Sequence, residues 1–146
     1  MSHLSCLPAL VVALTLFTWN ASPVNAENEQ HATAFETCAK ACDDCKRACD
    51  MCAAHCAKLL SDGKKEHLVT LKTCSDCASI CAAASCVVSG SGPFSDLICK
   101  ACEKACKRCG DECAKFKNDP MMTKCAEECR KCEKACQEML KHVEAK

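Results

Sequence analysis

Four stretches of the chain mark positions at alternating gaps of three and four residues, the spacing that puts every marked side chain on one face of an α-helix. In the first, CAKACDDCKRACDMCAAHC, the marked residues are Cys38, Cys42, Cys45, Cys49, Cys52 and Cys56. The second marks Cys74, Cys77 and Cys81, the third Cys99, Cys102, Cys106, Cys109 and Cys113, and the fourth Cys125, Cys129, Cys132 and Cys136. Lysine, arginine, aspartate and glutamate fall between them, as in DDCKRAC and CEKACKRC. Each helix therefore carries a sulfur stripe on one face and charge on the other, and amphipathicity turns the stripe inward.

Breakers separate the stretches. Gly63 follows KLLSD as a helix C-terminal residue, SGSGP interrupts the chain before Phe94, and KNDP offers Asp119 as N-cap with Pro120 as first helical residue. The pattern predicts helices over 31–61, 65–88, 94–117 and 120–143. Short connections favour antiparallel neighbours, so the fold expected is all-α, an antiparallel up-down-up-down four-helix bundle with a cysteine-lined core. The helices read as variants of one heptad unit, a repeat of pattern more than of sequence.

Extending the registers shows how the stripes end. The first runs back to Phe35 and His31 and forward to Leu59; the second runs back to Thr70 and His67 and forward to Ala84 and Val88. The third ends at Phe116, and the fourth starts at Met122 and closes with Met139 and Val143. Antiparallel order then gathers His31, Phe35, Val88, Met139, His142 and Val143 at one end, and Leu59, His67, Phe116, Met121 and Met122 at the other. Cys86 is counted with the core thiols although it lies about 140° around the helix from Cys81.

Composition sharpens this picture. The 146 residues suit one domain, and 49% are apolar, but 20 are cysteine, aromatics are 3%, and tyrosine is absent. Large hydrophobes alone would make a thin core. Basic and acidic residues both number 19, so no global field attracts nucleic acid or anionic lipid.

Residues 1–26 stand apart: LPALVVALTLF is an apolar run of eleven residues, nothing before Glu27 is charged, and VNA ends at Ala26 with the small residues of a cleavage site. The run is shorter than the roughly 20 residues that span a bilayer. The expectation is a secretory signal on 1–26, a bundle on 27–146, export to the periplasm by the general route as an unfolded, metal-free chain, and no membrane attachment after cleavage. If the signal is not used, the protein stays cytoplasmic. Cleavage removes Cys6 and leaves an odd 19 cysteines.

Three chemistries compete for the stripes. Free cysteine packs like a small hydrophobe, which does not explain its choice over alanine or leucine at so many aligned slots. A disulfide scaffold or thiol-redox protein suits an exported, cysteine-dense chain, but such scaffolds are short and loop-rich, and bonding at i, i+3 or i+4 within a helix strains the disulfide dihedral. Metal binding is the third. Side chains one turn apart have β-carbons about 5–6 Å apart, close enough for two sulfurs to flank one ion. Thiolates are soft ligands that select Cu(I), zinc or iron-sulfur clusters. A buried thiolate row must be neutralised. Cu(I) does this at about one ion per thiolate, needing two or three sulfurs at any level of a continuous stripe, whereas zinc prefers segregated sites of four ligands. The pattern favours many copper ions, with zinc or cadmium sequestration as the alternative. No catalytic apparatus is visible: none of His31, His55, His67 or His142 has a glutamate three residues earlier, so the Glu-x-x-His motif of di-iron bundles is missing.

CAKACDDCKRACDMCAAHC, CSDCASIC, CKACEKACKRCGDEC and CAEECRKCEKAC together resemble the bacterial four-helix-bundle copper storage proteins, over essentially the whole chain after residue 26. The resemblance implies a non-enzymatic store of multiple Cu(I) ions on all eighteen stripe cysteines named above, extending to Cys86. It implies a homo-oligomer, commonly a tetramer, and copper exchange with a copper chaperone or a downstream cuproprotein. It also implies admission of copper near one bundle end by histidine or methionine, which points to His31 and Met139. One departure concerns compartment. The high thiol count is similar to the family's cytosolic branch, and its exported branch is associated with twin-arginine signals, whereas this leader has no twin arginine.

Overall fold

Alanine, lysine and glutamate between the thiols are strong helix formers, and all four patterned stretches are helical in the computed structural model, which describes residues 23–144. The helices are α1 (Pro23–Ser61), α2 (Leu68–Ser89), α3 (Ser95–Cys113) and α4 (Pro120–Glu144), with a 3-10 turn at Lys65–His67 ahead of α2. Residues 1–22, most of the expected leader, lie outside the described residues.

Two helix ends follow from their cap residues. After α1, Gly63 adopts φ +84°; its amide donates to the Leu60 carbonyl and the Lys64 amide to the Leu59 carbonyl, both at 3.0 Å. This paired closure satisfies two orphan carbonyls and requires the left-handed residue that glycine supplies. At α4, Asp119 Oδ1 accepts from the amides of Met121 (2.9 Å) and Met122 (3.2 Å), an N-cap with Pro120 at the first position.

α3 stops at Cys113, four residues short of the expected 117. Its last turn tightens: the Lys115 amide donates to Glu112 and the Phe116 amide to Cys113. There Phe116 folds back against His67, ring centroids 4.4 Å apart and the ring planes tilted by 33°. The 3-10 turn likewise replaces the first expected turn of α2 and buries His67.

Each helix packs on two neighbours, α1 on α2 and α4, and α3 on α2 and α4, so the four close into a ring around one axis. The α3–α4 contact is close at Gly110, where a Cβ would meet Cys129 Cβ at 3.3 Å and the Arg130 guanidinium carbon at 3.1 Å. Outside the ring, Lys40–Asp44, Lys46–Asp50 and Lys107–Asp111 pair at one-turn spacing; such exposed, solvent-screened pairs contribute little to stability. The fold is the expected up-down-up-down bundle.

Candidate metal centre

Antiparallel α1 and α4 bring their stripes together rung by rung. Cys38 Sγ lies 3.8 Å from Cys136, Cys42 3.7 Å from Cys132, Cys45 3.7 Å from Cys129 and Cys49 3.8 Å from Cys125. Across the ring, the parallel helices α1 and α3 meet through sulfur along the axis: Cys38–Cys99 at 3.7 Å, Cys42–Cys102 at 3.9 Å, Cys45–Cys106 at 3.8 Å, Cys49–Cys109 at 3.8 Å and Cys52–Cys113 at 3.9 Å. α2 closes the remaining side, with Cys81 3.7 Å from Cys102, Cys77 3.9 Å from Cys106, and Cys74 3.6 Å from Cys113. Cysteine is short enough for four stripes to converge on one axis; leucine at these slots would push the helices apart.

The result is a continuous sulfur column rather than separate clusters. All eighteen stripe cysteines are free thiols and fully buried, none more than 1% exposed. Their spacings are well beyond the ~2.05 Å of a disulfide bond. Sulfur quartets within 4.8 Å of one another recur along the axis: Cys42/Cys102/Cys132/Cys136, Cys45/Cys77/Cys81/Cys106, Cys45/Cys49/Cys77/Cys129, Cys49/Cys109/Cys125/Cys129 and Cys52/Cys74/Cys113/Cys125. Quartets that share members mean that any ion placed on the axis finds two, three or four sulfurs.

Proton positions in the column are coupled. Cys45 is held low, first by its thiol contact with Cys106 and next by that with Cys129. Cys113 is brought down to about 5, first by its bond to Cys109 and further by Cys52 and Cys74. At the edge, burial pushes the Cys56 thiol up. A soft cation placed on the axis replaces these shared protons, so loading releases acid.

Cys86, expected among the core thiols, is exposed and stands outside the column, because five residues after Cys81 the helix has turned its side chain to the outer face. His31 is half-buried and stacks on Phe35, centroids 4.5 Å apart, while Met139 is fully buried.

At the opposite end, two residues stand out as donors that the sequence reading had placed only as end plugs. Met122 Sδ accepts from Cys52 Sγ at 3.4 Å, and His67 is 6% exposed with no hydrogen-bond partner at Nδ1. The signal for Met122 was in the register, three residues before Cys125. For His67 it was the stripe of the second helix. His55, off the stripe, pairs through Nε2 with Asp119 Oδ2 at 2.7 Å and ties α1 to the α3–α4 corner.

The family model described as copper storage protein matches residues 30–141. The chain belongs to the copper storage protein family. Solved relatives agree with the bundle. A cytosolic copper storage protein from Streptomyces lividans, loaded with five coppers, is 33% identical over 77% of this chain and 97% of its own, with TM-score 0.69. The Cu(I)-bound copper storage protein BsCsp3 is 33% identical over 73% of this chain and 98% of its own, with TM-score 0.66. The Nmul_A1745 protein of Nitrosospira multiformis is 26% identical over 75% and 96%, with TM-score 0.64. A search of the curated proteins returned no match. Family membership gives the sulfur column its context: a copper storage family with relatives solved in copper-loaded form.

Proposed function

We propose that this chain stores Cu(I), about one ion per core thiol, on the eighteen column cysteines, and as a member of a storage family it is not an enzyme. The carrying observation is the unbroken run of Sγ–Sγ separations near 3.6–3.9 Å from Cys38 to Cys113. Each monovalent ion cancels one thiolate charge, so the column fills without leaving net charge in a dry interior. The S. lividans relative has been solved with 10 copper equivalents, which supports multiple loading of one bundle. Titration of reduced, metal-free protein with Cu(I) tests the reading. The expected outcome is saturation near one ion per core thiol with little change in helical circular dichroism; saturation at two to four ions overturns it.

Cys86 takes no part in this store. His31 and Met139 are proposed as admitting ligands at the start of α1. Met122 and His67 are the corresponding pair at the loop end, favoured by the Met122–Cys52 contact and the unpaired imidazole nitrogen. The leader on 1–26 supports export to the periplasm, with copper received from a chaperone or passed to a downstream cuproprotein, and self-association of bundles belongs to the same reading. Cell fractionation of a tagged chain tests the compartment, and a cytoplasmic, uncleaved product overturns it.

A further inference from the structure

We propose that two copies of this chain join face to face through α2, the two α2 helices running antiparallel and crossing about a two-fold axis near Ser79. This gives a face to the self-association named above and does not depend on what the column holds.

The helices differ on their outer faces. α3 and α4 set charged residues between their thiols throughout, whereas α2 carries only Lys72 and Asp76 in 22 residues. Among the described residues, the large apolar side chains left exposed are Met51, Leu68, Val69, Phe94 and Leu97. Leu68 and Val69 begin α2; Phe94 and Leu97 lie at the start of α3, 64% and 60% exposed. The Cys81–Cys102 and Cys77–Cys106 contacts, 3.7 and 3.9 Å, run α3 antiparallel to α2, which sets Leu97 level with the last turn of α2. At 100° per residue, Phe94 and Leu97 fall on the side of α3 that also carries Ala105 and Arg108, and those two line a groove with Thr73 and Ile80 of α2. The outer face of α2 is therefore flanked by exposed apolar residues at both ends.

Between those ends the exposed positions of α2 include Ser75, Ser79 and Ala83, all small. Small residues at the middle and bulky ones at both ends suit two helices that touch closely at their midpoints and splay apart beyond, where the bulky side chains fill the gap. A second α2 matches this profile. Antiparallel pairing sets Leu68 and Val69 of one copy beside Phe94 and Leu97 of the other, twice, which is the isologous contact of a two-fold dimer. One lysine and one aspartate per copy leave the joined face neutral, and Lys72 falls beside Cys86 of the other copy. Area suffices as well: α2 is about 33 Å long, and with the flanking strip of α3 the face is about 20 Å wide. That is roughly 650 Å² per copy, or about 1,300 Å² in all, within the range of stable pairs. A lipid surface is the other occupant for an apolar strip, but Cys74, Cys77 and Cys81 hold α2 in the column, and serine and aspartate occupy the middle of its outer face.

The test combines sedimentation of the purified, reduced protein with a short amine-to-thiol cross-linker. Lys72 and exposed Cys86 are about 21 Å apart along one helix, out of a short reagent's reach within a chain, so a Lys72–Cys86 link found by peptide mass mapping reports two copies. A two-chain mass and that link are expected. Ser79→Arg brings like charges together at the axis, and Leu97→Glu puts a carboxylate in the apolar end. Both positions are exposed, so each variant keeps the helical circular dichroism of the bundle, weakens association by about tenfold or more and loses the link. Lys134→Glu, on the outer face of α4, leaves association and link unchanged. A four-chain parent supports the interface if both variants halve its mass and overturns it if they do not. A single-chain mass, an associated parent without the Lys72–Cys86 link, undiminished association of both folded variants, or flotation with phosphatidylcholine vesicles overturns the proposal. A single chain that takes copper at one ion per thiol sinks this interface alone. A dimer that refuses copper sinks the storage reading and leaves the interface standing.

Discussion

Cys52 Sγ and Met122 Sδ lie 3.4 Å apart, on the rung where the α1–α4 series of Cys38–Cys136, Cys42–Cys132, Cys45–Cys129 and Cys49–Cys125 takes its next step. Met122 fills a position where the ladder would otherwise place another cysteine. A thioether carries no proton to lose and no charge to cancel, so the α1–α4 ladder ends there in a soft, neutral plug. Met122→Cys is expected to raise Cu(I) capacity by about one ion per chain, read by titration against a chromophoric Cu(I) chelator. Met122→Leu keeps the parent capacity, costs less than about 1.5 kcal/mol of metal-free stability, and slows loading if copper enters from this end.

His67 presents a different balance at the same end. Its ring lies tilted against Phe116, yet Nδ1 is buried without a partner, and such an atom costs about 1–3 kcal/mol. Phenylalanine keeps the ring contact and removes that atom. His67→Phe is therefore expected to raise the metal-free denaturation midpoint, by about 1 kcal/mol in chemical unfolding, while slowing Cu(I) uptake in stopped-flow mixing. A loss of stability would show that the imidazole nitrogen is solvated or bonded.

Asp119 does two jobs at the α3–α4 corner, capping α4 through Oδ1 and holding His55 through Oδ2. Burial alone would raise its carboxyl, but the bonds from His55 and from the Met122 and Met121 amides outweigh that and hold it below the usual carboxylate range. A group with a lowered folded pKa stabilises fully above its unfolded value, about 3.9, and loses that contribution as pH falls through the folded value. Asp119→Asn keeps a capping oxygen and flattens this acid limb. Asp119→Ala also loses the cap, at about 1 kcal/mol at neutral pH. Thermal melts between pH 2 and 7 check both, at pH values chosen around that carboxylate reference.

Gly110 marks a close α3–α4 approach. Alanine would gain about 1 kcal/mol of helix propensity, but its Cβ would press on Cys129 Cβ at 3.3 Å and on Arg130, whose guanidinium is tied to Asp111, Glu133 and the Lys107 carbonyl. Overpacking costs about 1–3 kcal/mol, so Gly110→Ala is expected to be destabilising on balance. Because it widens α3–α4 at the Cys109–Cys129 level, copper capacity should fall along with urea resistance; a more stable variant at full capacity would show that α4 moves aside freely.

Most of the architecture was legible before any coordinates. Alternating gaps of three and four placed Cys38 through Cys56 and the stripes of the other helices inward, and Gly63 and Asp119 named two helix ends by chemistry that admits few alternatives. The sequence was less informative where tertiary contact competes with local pattern. α3 stops a turn short where Phe116 folds back against His67, and Cys86 turns outward because a five-residue step leaves the stripe. His67 and Met122 read as plugs, since register tells which face a residue occupies but not whether its polar atom finds a partner.

Periodicity and residue type, which are properties of the chain, thus determined that four helices would form and that each would bury a row of sulfur. Only the packed bundle decided which sulfurs meet: the rung order of α1 with α4, the diagonal approach of α1 to α3, the quartets on the axis, and the thioether that ends the ladder. Helix rotation and axial offset are set by close packing of all four stripes at once, with each thiol fixed by neighbours from other helices, and no single stretch of sequence contains that information.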